Sequence, residues 1–348
     1  MIQTAKPINL ALQGGGAHGA FTWGVLDRIL EDGRLSVAGV SGTSAGAMNA
    51  VAMADGFTRD GGPEGGRAAL HRFWASLSEG AKSSPLKRMP MDVLMGNWGL
   101  ENNPIYHLMD SLTRLASPYQ LNPMNISPLR DLVEASIDFE MVRACTSFKL
   151  FISATNVETG KVKVFPREEL TADMIMASAC LPHLYQAVEV DGVPYWDGGY
   201  MGNPALFPFH GKTGSDDIVV IQINPIERRG APETPQDIQN RMNEISFNSS
   251  LLKELRAIDF VDRLIRDGKL STDDYRQVRV HIIENQAGLK PLGASSKMNV
   301  EWDFLTKLRD MGRQTATEWL DQNFDAIGHE SSVDLRAMFQ GIGGEHQG

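Results

Sequence analysis

The sequence has few of the features that mark secreted, membrane-spanning or nucleic-acid-binding proteins. It contains two cysteines, Cys145 and Cys180, in 348 residues, which favours reduced core thiols over a disulfide scaffold. No apolar run approaches the roughly 18 residues of a membrane-spanning helix, and residues 1–12 lack the charged and apolar regions of a signal peptide. Acidic residues outnumber basic ones by 43 to 33, for a net charge of −10, which argues against nucleic acid as a partner. We therefore expect a cytoplasmic protein.

Short apolar runs instead alternate with segments of helical spacing along the chain. The runs are apolar on both faces, which is typical of parallel strands covered by helices on both sides. The predicted fold class is therefore α/β, with a mostly parallel central sheet. The predicted strands are residues 8–12, 37–40, 148–154, 162–165, 187–190, 218–223 and 278–283.

The last third of the chain is predicted to be mainly helical. One helix begins after Thr234-Pro235 and ends at Gly268, and a second spans about 300–324; both have apolar stripes that we expect to face the core. The chain length suggests a larger unit at 1–230 and an extension at 231–348 that packs on the same domain. The stripe of the first helix consists of Ile238, Met242, Ile245, Leu252, Leu255, Ile258, Val261 and Ile265.

Two segments of the first unit break the helical pattern. The glycine-rich stretch at 59–66 predicts an exposed loop. Residues 80–125 contain five methionines and several prolines, and two interpretations stay open. The segment is either an irregular excursion whose methionines fill gaps in the core, or an apolar lid over a lipid-accepting cleft.

Gly42-Thr43-Ser44-Ala45-Gly46 fits the G-x-S-x-G pattern of a nucleophile elbow. In such an elbow the serine occupies a sharp turn between a strand and a helix, and the glycines avoid collisions there. The predicted strand 37–40 precedes the block, and a small-residue helix follows it. Ser44 is therefore a candidate nucleophile at a helix N-terminus, where free N–H groups favour a developing oxyanion.

Gly14-Gly15-Gly16-Ala17-His18-Gly19 follows the first strand and precedes a helix. Its spacing fits a dinucleotide fingerprint, which also requires an acidic residue at the end of the second strand to hold a ribose. That strand ends in Ser41-Gly42 instead, so the cofactor interpretation is disfavoured. The alternative is a nest of backbone N–H groups for an oxyanion.

Other chemistries receive less support. Asp197-Gly198-Gly199 is by itself a turn signal. Gly211-Lys212-Thr213 resembles the end of a phosphate-binding loop, but the required earlier glycine is Leu206. His210 and His281 follow Asp197, as the acid–histidine order of a serine triad requires, although His281 lies in an apolar strand, where a core histidine is expected. No histidine pair has the spacing of a zinc site.

Taken together, the ordered blocks resemble the bacterial patatin-like phospholipases. The resemblance covers about residues 8–224, and it implies a three-layer α/β/α sandwich and a serine–aspartate dyad that hydrolyses acyl esters of lipids without a histidine. We expect no cofactor and no metal. The matching blocks are the glycine nest, the serine elbow, Ala177-Ser178-Ala179-Cys180-Leu181-Pro182, and Asp197-Gly198-Gly199 with Asn203-Pro204.

By position, the resemblance makes Ser44 the nucleophile and Asp197 its base, within a catalytic domain at 1–230. It assigns the oxyanion hole to backbone N–H groups, and it places Pro182 and His183 beside the cleft. The oxyanion donors would be Gly14, Gly15, Gly16 and Ala45.

His18 departs from the pattern, because the family usually has arginine or lysine there. Histidine changes its charge near neutral pH, so His18 either tunes the site or only packs on the first helix. The expected partners are a lipid or acyl-ester substrate and, transiently, a membrane or micelle surface; the oligomeric state stays open. Two other functions stay open as well: an acyltransferase or thioesterase on the same scaffold, and a lipid-binding module without turnover.

Overall fold

The computed structural model describes residues 5–340. Its centre is a mixed sheet with the strand order β5-β6-β3-β2-β1-β7-β8, and β4 pairs with β3. The strands are β1 (Lys6–Leu12), β2 (Leu35–Gly42), β3 (Lys149–Asn156), β4 (Val162–Pro166), β5 (Val188–Val190), β6 (Val193–Asp197), β7 (Asp217–Gln222) and β8 (Arg279–Glu284).

Five neighbouring strands of the sheet, in the order β3-β2-β1-β7-β8, are parallel. The strands β4, β5 and β6 pair antiparallel. The predicted sheet is therefore confirmed, with one strand, β6, added.

The helices are α1 (Gly19–Asp32), α2 (Ala45–Gly56), α3 (Gly62–Gly80), α4 (Pro90–Met95), α5 (Pro104–Leu115), α6 (Pro118–Leu121), α7 (Pro128–Ser136), α8 (Phe139–Ala144), α9 (Ala172–Ser178), α10 (Pro235–Arg266), α11 (Gln286–Leu289), α12 (Trp302–Asn323) and α13 (Leu335–Gln340).

Helices cover both faces of the sheet, which makes the fold a three-layer α/β/α sandwich. Because side chains alternate across a strand, β1 serves two cores. Leu10 and Leu12 pack with the apolar faces of α1, α2, α3 and α12, whereas Ala11 packs in a second cluster with Leu251 and Leu255 of α10. Burial on both faces explains why the central strands are apolar almost throughout.

Residues of the C-terminal third belong to the same sheet and layers. β8 extends the sheet beside β7, and α12 packs along α1. The two helices approach so closely that a Cβ on Gly24 would collide with the Arg309 backbone, and one on Gly312 with the Phe21 carbonyl. Glycine is thus required at both positions of this helix pair.

The stripe predicted for α10 faces the core only in its C-terminal half. Leu255 and Ile258 are buried, but Ile238, Met242 and Ile245 are 42%, 57% and 55% exposed, so the prediction is wrong for these three. The inward face of the N-terminal half carries the buried residues Glu244 and Asn248 instead, and both form polar contacts described below. The apolar side of these turns is left facing solvent.

The loop predicted at 59–66 is also wrong. Phe57–Gly61 forms a π-helical turn that runs directly into α3. Gly65 lies against the Gly56 carbonyl, and Gly66 lies against the Phe57 ring, so closely that a Cβ at either would collide. The glycines permit this close helix packing.

Residues 81–126 form an excursion built from α4, α5 and α6 whose methionines do not fill the core. Met91, Met95 and Met124 are 64%, 76% and 81% exposed, which contradicts the gap-filling interpretation. The other exposed large apolar residues of this segment are Met89, Val93, Leu94, Ile105, Leu108, Leu112, Leu115, Tyr119, Leu121 and Ile126.

Hydrogen bonds anchor the excursion near its start. Arg88 forms an ion pair with Glu301 at 2.6 Å, and the Leu100 amide donates to Ser295 Oγ at 2.8 Å. The guanidinium of Arg88 also lies over the ring of Trp98.

A second set of hydrogen bonds anchors the end of the excursion. Gln186 donates to the Asn122 carbonyl at 2.7 Å, and the Ala187 amide donates to the Tyr119 hydroxyl at 3.2 Å. The apolar surface between the two anchors is therefore held in place by the segments around 295–301 and 186–187. Within residues 5–340, no helix combines the length and hydrophobicity needed to cross a membrane.

Candidate active site

Ser44 lies in a sharp turn between β2 and α2. Its backbone has φ 54° and ψ −120°, a strained combination for a residue with a side chain. The flanking glycines permit the turn: a Cβ on Gly42 would lie 2.7 Å from the Gly46 carbonyl oxygen, and one on Gly46 would collide with the Leu12 carbonyl. The Ser44 amide donates to Ser178 Oγ at 2.9 Å. The geometry is that of a nucleophile elbow.

Asp197 ends β6, and its backbone is fixed on both sides. Its amide donates to the Cys180 carbonyl at 2.8 Å, and Thr155 Oγ1 donates to its carbonyl at 2.8 Å. The side chain is 1% exposed, and its Oδ1 accepts a hydrogen bond from the Gly199 amide at 2.7 Å. The turn after the strand therefore binds the carboxylate itself.

The structure brings Asp197 to Ser44. Burial raises the pKa of Asp197 to about 7, while the Gly199 amide, the Ser44 hydroxyl and the charge of Lys297 act in the opposite direction. A pKa near 7 suits a group that must take up a proton at neutral pH and later return it. Burial therefore places the pKa of this carboxyl close to neutral pH.

The glycine nest lies directly against the serine. A Cβ on Gly14 would lie 2.7 Å from Ser44 Cβ, so only glycine fits there. However, the Gly14 amide donates to Asn203 Oδ1 at 2.7 Å, and this corrects its assignment as an oxyanion donor. Its N–H group is consumed in holding the nest. Among residues 5–340, the amides of Gly15, Gly16 and Ala45 donate to no other residue.

A buried polar network that the sequence analysis missed fixes this nest. Gln13, Asn203, Asn224 and Asn248 are at most 3% exposed. Gln13 donates to Asn248 Oδ1 at 3.1 Å, and Asn224 donates to the Gly14 carbonyl at 2.7 Å. Both polar groups of Gly14 are therefore held by asparagine side chains. Asn203 belongs to the Asn203-Pro204 block found in the sequence, but no motif connects it to Gln13, Asn224 or Asn248.

His18 lies beneath the nest and is neutral. It is 2% exposed, and its Nε2 lies 2.8 Å from Ser296 Oγ. Because Ser296 donates its own proton to the Gly293 carbonyl at 2.7 Å, Nε2–H of His18 is the donor. Burial and the charge of Lys297 lower the pKa of His18 to about 3. The expectation that its charge changes near neutral pH is wrong, and the contacts of its ring are with Ser296 and with Phe304 of α12.

The other sequence-predicted residues to place are Pro182, His183 and His281. Pro182 is partly buried and His183 is exposed, two and three residues beyond Cys180. His281 is completely buried and bonded to Asp217 at 3.1 Å, as expected of a core histidine. In the part of the chain that is described, no histidine bonds to Asp197, and no group of His, Cys, Asp or Glu could hold a metal ion.

Comparison with known proteins identifies the family. The model of the patatin-like phospholipase family matches residues 10–210. VipD from Legionella pneumophila has 15% identity and a TM-score of 0.35, over 88% of this chain and 67% of VipD. The type III effector ExoU has 15% identity and a TM-score of 0.28, over 87% of this chain and 54% of ExoU.

A chain of the SpcU–ExoU complex from Pseudomonas aeruginosa has 15% identity and a TM-score of 0.29, over 93% of this chain and 61% of that chain. This protein thus spans about half to two thirds of the length of these structures. No curated protein sequence matches it. The family match covers more than half of the sequence, and the chain belongs to the patatin-like phospholipase family.

Proposed function

We propose that the protein is a serine acyl hydrolase that cleaves carboxylic esters of lipids through a Ser44–Asp197 dyad. Family membership supports lipid hydrolase activity in general. The observation that carries the finer proposal is the contact between the strained Ser44 and the buried Asp197, whose pKa is raised to about 7.

In the acylation step, Asp197 takes the proton of the Ser44 hydroxyl as Ser44 Oγ attacks the ester carbonyl carbon. The tetrahedral intermediate then expels the alcohol, which leaves with the proton held on Asp197. In deacylation, water gives a proton to Asp197 and attacks the acyl carbon. Ser44 Oγ leaves, recovers this proton, and the fatty acid is released.

The oxyanion is stabilised by the amides of Gly15, Gly16 and Ala45, since the Gly14 amide is already used. Ala45 begins α2, so the helix dipole adds to its hydrogen bond. Loss of a single oxyanion donor typically costs about 10²–10³ in rate. The network of asparagines preserves this geometry by holding the nest on Ser44.

Contact with a lipid surface is supported by the excursion at 81–126. One of its anchors is Ser295, next to the Ser296 that binds His18, and the other lies beyond Cys180, which binds the Asp197 amide. The exposed apolar surface therefore adjoins the segments that carry the site. A lipid bilayer or micelle can cover such a surface when the enzyme takes up its substrate.

The catalytic proposal is tested by hydrolysis of p-nitrophenyl esters and lysophospholipids. Ser44→Ala and Asp197→Asn should each lower turnover by at least about 10²-fold. Ser246→Ala, a substitution on the exposed side of α10, is the control and should match wild type. Full activity of Ser44→Ala would refute the proposal.

The surface proposal is tested with Leu94→Ser/Met95→Ser in vesicle sedimentation and in assays on a soluble ester. We expect weaker vesicle binding and slower vesicle hydrolysis, with unchanged turnover of the soluble ester. Phe260→Ser, which changes a residue on α10 that is 52% exposed, is the matched control. Equal binding of the double variant and wild type would contradict a role of the excursion.

A further inference from the structure

The sequence block at 177–182 has no task in the chemistry proposed above. In the structure it is the end of α9 and the turn that follows this helix. Ile175, Ala177 and Ser178 are completely buried, so the core of the protein fixes the place where the helix ends. Hydrogen bonds connect the block to both members of the dyad.

Ser178 holds the nucleophile. Its Oγ accepts a hydrogen bond from the Ser44 amide at 2.9 Å. This amide belongs to the residue with the strained backbone, at φ 54° and ψ −120°, and strain of this kind persists only where the surroundings hold it. Because Ser178 is completely buried, its hydroxyl acts through Ser44 and does not reach a substrate.

The same segment holds the base two residues further along the chain. The Cys180 carbonyl accepts a hydrogen bond from the Asp197 amide at 2.8 Å. Cys180 is itself fixed, because its amide donates to the Ala177 carbonyl at 3.3 Å and its Sγ donates to the Gln186 carbonyl at 3.1 Å. The backbones of nucleophile and base are therefore bonded to one short, well-anchored segment.

A second set of hydrogen bonds joins the serine elbow to the turn after Asp197. Thr43 Oγ1 donates to the Gly202 carbonyl at 2.6 Å, and the Gly202 amide donates to the Gly198 carbonyl at 2.8 Å. These bonds hold the residue before the nucleophile, whereas Ser178 holds the amide of the nucleophile itself. Loss of the Ser178 hydroxyl should therefore leave the elbow attached but allow Ser44 to shift.

We propose that Ser178 is a positioning residue of the active site: its hydroxyl oxygen holds the Ser44 amide while the Cys180 carbonyl holds the Asp197 amide, so that one short segment sets the nucleophile against its base. This inference rests on the proposed function, because the positioning has a kinetic effect only if the dyad reacts. A displacement of about 1 Å can lower a rate about 10²-fold, so a hydrogen bond to the backbone of the nucleophile is expected to affect the rate.

The test compares Ser178→Ala and Ser178→Cys with wild type in ester turnover and in the kinetics of fluorophosphonate labelling. Alanine removes the acceptor, whereas cysteine has nearly the shape of serine and is a weaker acceptor. Ser153→Ala is the matched control, because Ser153 is also completely buried and its Oγ has no hydrogen-bond partner among residues 5–340. Ser44→Ala gives the background of both assays.

We expect kcat and the labelling rate constant of Ser178→Ala to fall about 10- to 100-fold, with KM near the wild-type value. Ser178→Cys should lie between this variant and wild type, and Ser153→Ala should match wild type. The final extent of labelling separates positioning from loss of structure. A displaced serine in a folded chain reacts slowly but completely, so both Ser178 variants should reach the wild-type extent of labelling.

Wild-type rates in Ser178→Ala would overturn the proposal. Labelling of Ser178→Ala that stops short of the wild-type extent would also overturn it, because it would show a structural role. If Ser178→Ala does not fold, Ser178→Cys decides: slower, complete labelling supports the proposal, and the wild-type rate overturns it. If Ser44→Ala is as active as wild type, the dyad proposal fails and this inference fails with it, whereas activity lost in Ser44→Ala but kept in Ser178→Ala contradicts the positioning role alone.

Discussion

Replacing Asp197 with asparagine should lower ester turnover by at least about 10²-fold and, at neutral and higher pH, stabilise the fold. The carboxyl is 1% exposed and its pKa is raised from 3.8 to about 7 by burial. The folded protein therefore holds this proton more tightly than the unfolded chain does. Ionisation opposes folding, and the stability of wild type should fall as pH rises from about 4 to about 7.

The magnitude follows from the shift. A difference of about three pKa units, at 1.36 kcal/mol per unit, corresponds to about 4 kcal/mol in the free energy of unfolding. Asparagine has nearly the same shape, and its Oδ1 can keep the bond from the Gly199 amide, which is 2.7 Å long in wild type. It carries no titrating proton, so the variant avoids this loss.

The assay is urea unfolding of wild type and Asp197→Asn at pH 4 and pH 8. The difference in unfolding free energy should increase by about 4 kcal/mol in favour of the variant between the two values. Wild-type turnover should rise with pH through about 7, as the base ionises. A stability difference that is the same at both pH values would refute the burial argument.

Two further predictions concern the nest and the sheet. Gly14→Ala places a methyl carbon 2.7 Å from Ser44 Cβ and should lower ester turnover by about 10²-fold. The control Gly214→Ala places its methyl in open space and should keep the wild-type turnover. Equal activities of the two variants would contradict the close contact. Asp217→Asn should cost about 3–5 kcal/mol at pH 7, because it leaves Arg279 without its carboxylate at 2.8 Å. The pKa of Asp217 is lowered well below its usual value of 3.8, so its stabilisation is complete above about pH 4 and is lost progressively as pH falls towards the lowered pKa. Urea unfolding should show a smaller difference between the two proteins at pH 3 than at pH 7; the same difference at both would contradict this.

The sequence predicts correctly those features that depend on residues close together in the chain. The serine elbow depends on two glycines within five residues, and the central strands depend on runs that are apolar on both faces. β6 was missed because its five residues include Pro194 and the partly exposed Trp196, which do not form a strand pattern. Its strand character comes from pairing with β3 and β5.

The polar part of the site could not be predicted for a related reason. Gln13, Asn203 and Asn224 come together only through the fold, and although Asn203 belongs to the Asn203-Pro204 block, no sequence pattern connects the three residues. The hydrogen bond of Gly14 has the same origin. The sequence makes the Gly14 amide a reasonable oxyanion donor, but the fold places Asn203 Oδ1 against this amide. The orientation of the N-terminal half of α10 was also not predicted. There Glu244 faces inward because it pairs with Arg228, which is distant in the sequence, and the apolar side of the helix faces solvent.

The central claim is that Ser44 is an activated nucleophile, and covalent labelling with a fluorophosphonate tests it most directly. After incubation of the folded protein with the probe, peptide mass spectrometry identifies the modified residue. The account predicts one adduct on Ser44, formed more slowly in Asp197→Asn and absent in Ser44→Ala. No adduct on folded wild type, or an adduct on another residue with Ser44 unmodified, would contradict it.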